Sequence, residues 1–159
     1  MSKKWALALF CGVFLALNVE AAMVSFFIIE TGISQEDQRS AHSEQWENAF
    51  LDVFFEAGHI VSNSPMLRLE KKPSDEIQKL AKDDIKEAGE TGSDYFLVAQ
   101  LDYLSGSKTP GDISIVLFKI TPYGKVTEKR ITGKTYKSAK DEIDDLKLIA
   151  RGFLPLIKN

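Results

Sequence analysis

Two rhythms of apolar residues alternate along this chain. Residues 94–104 read DYFLVAQLDYL, and Tyr95, Phe96, Leu97, Val98 and Ala99 are apolar at successive positions. A strand tolerates that only when both of its faces are covered, so this stretch is predicted to be the central strand of a sheet. Residues 23–29, MVSFFII, predict a first strand of the same kind, ending at Glu30, Thr31 and Gly32. Between residues 36 and 57 the period lengthens. Trp46, Ala49, Phe50, Val53, Phe54 and Ala57 share one stripe at about 100° per residue, and Gly58 stops the helix they define.

Residues 59–62 predict a short second strand, and residues 66–72 carry no clear period. Ser74 is placed to cap a second helix whose buried stripe is Ile77, Leu80, Ala81, Ile85 and Ala88, with Asp84 at its solvent end. Residues 112–121 and 126–136 predict two long strands. The link between them, Pro122, Tyr123, Gly124 and Lys125, is too short for a crossover, so these strands are antiparallel neighbours. Glu128, Lys129, Arg130 and Lys134 make the last strand poor in core residues, as suits a charged sheet edge. Ser138 with Asp141 three residues on starts a third helix, whose buried face is Ile143, Leu146, Ile149, Ala150, Phe153, Leu154 and Ile157.

The expected fold is α/β, in the order β-α-β-α-β-β-β-α. It has a mixed five-stranded sheet with the first three strands parallel, the last hairpin antiparallel, and helices packed on the sheet. The hydrophobic share of 44% and charged share of 27% are those of a globular chain, which excludes disorder as the starting assumption.

The first 21 residues follow other rules. Lys3 and Lys4 precede an apolar run over residues 5–17, and Val19, Glu20 and Ala21 supply a cleavage-type sequence before Ala22. That run falls short of the roughly 20 residues that span a bilayer. The expectation is a secretory signal over residues 1–21, a single domain over 22–159, and residence in a bacterial periplasm. Cys11, the one cysteine, sits inside the signal, after the bulky Phe10. Membrane association is expected only if Cys11 is lipidated. The formal net charge of -3, with no dense basic stretch, argues against nucleic acid as a partner.

The order of elements, on an exported chain, resembles a known family. It is similar to the small α/β domain shared by the amino-terminal domain of the periplasmic protein TolB, the curli secretion lipoprotein CsgG and the lipoprotein activators of penicillin-binding proteins. Three segments carry the resemblance: the opening strand over residues 24–29; the run over residues 92–101, where Gly92, Ser93, Asp94 and Tyr95 lead into the apolar strand; and residues 113–120 followed by the turn at Gly124. What it implies is a periplasmic interaction domain without an enzymatic role.

Candidate chemistry is sparse. Parallel strands gather their carboxyl ends on one sheet edge, which would bring together Glu30, Thr31, Ser62, Asn63, Gln100 and Asp102. Glu30 and Asp102, with Asn63 nearby, could bind a cation or serve a hydrolytic enzyme as acid and base. His42 and His59 are too far apart along the helix and strand to share a metal, and no nucleotide or nucleophile motif is present, so neither cofactor nor metal is expected. Leu51 and Phe55 lie off the first helix's buried stripe. With Lys129 and Arg130 on the charged edge, they are the candidate docking residues. The leading expectation is therefore an accessory domain that binds another cell-envelope protein, with homo-oligomerisation through the sheet edge as a further possibility.

Overall fold

The computed structural model describes residues 21–33, 40–74, 76–104 and 107–158. Residues 1–20, which hold Cys11 and nearly all of the expected signal, lie outside that description.

The first strand, β1 (Met23–Thr31), is followed by α1 (Ser40–Glu56), β2 (Ile60–Asn63) and β3 (Leu67–Leu69). Then come α2 (Ile77–Leu80), α3 (Lys82–Glu90), β4 (Tyr95–Asp102), β5 (Asp112–Lys119), β6 (Gly124–Thr132) and α4 (Ala139–Arg151). The strands form one six-stranded sheet in the order β2-β1-β4-β5-β6, with β3 pairing β1 beyond β2. Strands β2, β3 and β4 run parallel to β1, while β4–β5 and β5–β6 are antiparallel. The mixed α/β class is as the sequence predicts, with β4 in the middle and Phe96 and Val98 wholly buried.

Three local details differ. The sixth strand, β3, lies in the stretch that showed no period. Three residues, Leu67, Arg68 and Leu69, are too few to display an alternation. The second helix is broken at Ala81 into α2 and α3, and α2 begins after Glu76, not at Ser74, with no side-chain cap. On α4, Ile143 is 37% exposed whereas Glu142, one turn before Leu146, is buried.

Period-two alternation sorts the sheet's side chains onto two faces. On one face Val24, Phe26 and Ile28 of β1, Leu97, Ala99 and Leu101 of β4, and Ile113, Ile115 and Leu117 of β5 pack against α1 and α4. Phe50 is the hub of this layer, stacked on Phe26 at 5.0 Å and in ring contact with Trp46, Phe54 and Phe153. On the other face Phe27, Ile29, Phe96, Val98, Val116 and Phe118 meet Ala81, Ile85 and Ala88. Asp84 is half-buried on this side, and burial raises its carboxyl above its ordinary value against a hydrogen bond from Ser64.

Both ends of the central strand are fastened. The Tyr95 hydroxyl donates to the Lys158 carbonyl at 2.5 Å and accepts from the Lys158 amide at 2.9 Å. At the other end, the Tyr103 hydroxyl meets Ser43 at 2.9 Å. The capping of α4 by Ser138, whose Oγ accepts from the Asp141 amide, is as its sequence predicts.

Candidate functional site

The layer made by α2 and α3 does not reach the far edge of the sheet. It covers β1 and β4 and extends to Val116 and Phe118 on β5, but the same face of β6 stays open. The result is a cleft of about 550 Å³ walled by Lys72, Ile77 and Gln78, with β4, β5 and β6 as its floor.

Register fixes what that floor presents. Gln100, Ser114 and Arg130 are successive cross-strand partners on β4, β5 and β6, and Val98, Val116 and Glu128 form the next row. Beyond these, Phe118 stacks with Tyr123 at 6.0 Å and closes the cleft's apolar end. Burial pushes the Tyr123 hydroxyl above its ordinary pKa, against a hydrogen bond with Gln78 across the cleft.

Polar groups are unevenly satisfied here. Asp102 accepts from Thr31, from Lys72, and from Gln100 Nε2 at 2.9 Å. Burial alone would raise its pKa, but those hydrogen bonds outweigh burial and hold the carboxyl below the usual range. Glu128 is paired with Lys125 and Arg130, each at 3.0 Å, and these bonds hold it low as well. Ser114 is the exception: its Oγ is buried and has no partner among the described residues. A hydroxyl left so carries a desolvation cost of about 1–3 kcal/mol, which a ligand offering a donor or acceptor would relieve.

The residues singled out from sequence are dispersed. Thr31 is the register partner of Asp102, and Leu101 is that of Glu30. Glu30 and Asp102 therefore project from opposite faces, and no acid–base or cation-binding pair is formed. Glu30 is fully buried on the α1 side and ion-paired to Arg68 at 2.7 Å. Asn63 donates to Glu47 of α1. Leu51 packs against the main core, half-buried, while Phe55 is 70% exposed. Lys129 and Arg130 occupy opposite faces of β6. Arg130 borders the cleft, whereas Lys129 donates to the Gly152 carbonyl at 3.2 Å and sits 4.5 Å from the Phe153 ring centre, closing the end of α4. The expected docking residues do not form one patch.

His42 falls within α1, and its side chain is outside the described residues. His59 accepts at Nδ1 from the Ala22 amide at 3.3 Å. Among the described residues no group of three or more His, Cys, Asp or Glu is placed to hold a metal, and no helix is long and apolar enough to cross a membrane.

A family model described as "Uncharacterised protein" matches residues 23–144, a span running from the first residue of β1 into α4. The chain belongs to that family. No curated protein matches it. Among solved structures it is similar to the PelC dodecamer from Paraburkholderia phytofirmans, at 16% identity over 87% of this chain and 89% of that one, with a TM-score of 0.46. It is also similar to lipoprotein GNA1162 from Neisseria meningitidis, at 11% identity over 84% and 99% of the two chains, with a TM-score of 0.43. A third similar structure is the hypothetical protein CT253 from Chlamydia trachomatis, at 9% identity, 84% and 94% coverage, and a TM-score of 0.40.

Sequence reasoning missed the cleft itself. The chain alone marks its floor residues only as strand positions, and places Gln100 and Asp102 with the carboxyl ends of the parallel strands. The signal that was available is the polar interruption of otherwise apolar strands on one parity: Gln100 and Asp102 on β4, Ser114 on β5.

Proposed function

We propose that this chain is an exported accessory domain of the bacterial envelope that binds a segment of another envelope protein in the cleft beside α2, without catalytic turnover. The signal-like pattern of residues 1–21 supports export to the periplasm. The sequence resemblance to the small domain of TolB and its relatives supports the same setting.

The observation that carries the binding role is the uncovered sheet face. A row of amide, hydroxyl and guanidinium at Gln100, Ser114 and Arg130 lies next to apolar Val116 and Phe118, with the Ser114 Oγ buried and without a partner among the described residues. Such a surface fits a polypeptide segment, which brings backbone donors and acceptors together with apolar side chains. The absence of turnover is supported by the state of Asp102. Its carboxylate already accepts three hydrogen bonds and is held low, which makes it a poor proton acceptor at neutral pH.

A photo-crosslinking amino acid tests the reading. Placed at Gln78 on the cleft wall it should capture a discrete envelope protein in living cells, and placed at Asp144 on the opposite layer it should not. Ser114→Trp, which fills the cleft, should abolish the Gln78 product while leaving the circular dichroism spectrum intact. Equal products from both positions, no product at Gln78, or a product indifferent to Ser114→Trp would overturn the assignment.

A further inference from the structure

The strand β6 ends the sheet, and its backbone has an outward side whose residues can be named. Asp112 and Thr132 are register partners, and the Gly133 amide donates to the Gly111 carbonyl at 2.7 Å. A bond from the residue after one partner to the residue before the other marks a non-hydrogen-bonded antiparallel pair. Along β6, therefore, Thr127, Lys129 and Ile131 turn their amides and carbonyls toward β5. Glu128, Arg130 and Thr132 turn theirs away from the sheet. Among the described residues no backbone group of another segment bonds to that outward row.

We propose that β6 pairs with β6 of a second copy of this chain, antiparallel about a two-fold axis at Lys129. An axis through any residue of this strand sets even positions against even ones, so backbone geometry permits several registers. Charge selects one of them. Centred on Lys129, Glu128 of each copy lies opposite Arg130 of the other, and the outward backbone groups of both residues exchange hydrogen bonds. Centred on Glu128 or on Arg130, like charges stand directly opposite, which destabilises an antiparallel pair. Within one chain Glu128 and Arg130 already hold each other at 3.0 Å. In the pair, each meets two opposite charges.

Lys129 meets its own copy on the other face. Its ammonium is drawn back over Phe153 and onto the Gly152 carbonyl, away from the edge, which weakens that repulsion. Charges on an edge strand normally prevent indiscriminate pairing. Here the alternation of sign disfavours the neighbouring registers centred on Glu128 and on Arg130 while leaving this one complementary. The axis stands normal to the sheet, so two six-stranded sheets become one and the two clefts open on the same side. The inference is independent of what the cleft binds.

Charge exchange tests it. Sedimentation equilibrium of the purified protein should show a monomer–dimer equilibrium. Glu128→Arg and Arg130→Glu should each weaken the dimer by about tenfold or more, since each removes two complementary pairs and creates like-charge ones. The double variant E128R/R130E, with the signs exchanged, should restore it. Both positions are solvent-exposed, so folding should be unaffected, as circular dichroism can check. A protein that stays monomeric at every concentration, a dimer indifferent to the single substitutions, or a double variant no better than the singles would overturn the proposal.

Discussion

At His59 a single hydrogen bond links the solution pH to the fold. The ring accepts the Ala22 amide at Nδ1, which only an unprotonated nitrogen can do, and burial lowers its pKa below the ordinary value of about 6.5. The unfolded chain therefore takes up a proton first as the pH falls. The stabilisation is complete above about pH 6.5 and drains away as the pH drops from there through the lower native value. Thermal denaturation followed from pH 8 to pH 5 should show the midpoint falling across that window, and His59→Gln should flatten that part of the curve. The same scale shows what sequence alone reveals of a site. That Lys129 and Arg130 face opposite ways follows from the two-residue period of a strand. That Lys129 serves the end of α4 does not, because Gly152 and Phe153 are more than twenty residues away along the chain.

Among the elements, the helix caps separate a local signal that holds from one that fails. Ser138 and Ser74 precede helices with similar acidic first turns in the sequence, yet only Ser138 accepts the amide three residues on. Ser138→Ala should therefore cost about 1 kcal/mol in urea denaturation, while Ser74→Ala, at an exposed bend ahead of α2, should change stability by less than about half of that. The α1 stripe was legible because five of its members, Trp46, Ala49, Phe50, Val53 and Phe54, are each within 2% of full burial. The break at Ala81 was not, because Ile77, Leu80, Ala81, Ile85 and Ala88 keep helical spacing across it. Ile143 and Glu142 show the limit from the other side: periodicity places both near the edge of the α4 stripe, and tertiary packing buries the charged one.

Over the whole molecule, the mixed α/β class and the centrality of β4 could be read from the chain because full burial leaves an unmistakable apolar run. The cleft could not, since its existence depends on where a broken helix comes to rest over the sheet. Nor could the separation of Glu30 from Asp102, because parity across two strands is decided by register, which pairs Thr31 with Asp102. The Tyr95 hydroxyl joins distant parts of this architecture through its two bonds to Lys158. Tyr95→Phe removes both, leaves the ring in place, and should lower stability by about 1–3 kcal/mol in chemical denaturation. That same grip makes the segment that follows α4 a tether. A load applied at Lys158, whether from a fused tag or a pulling experiment, should meet the middle strand through the Tyr95 hydroxyl before it reaches α4.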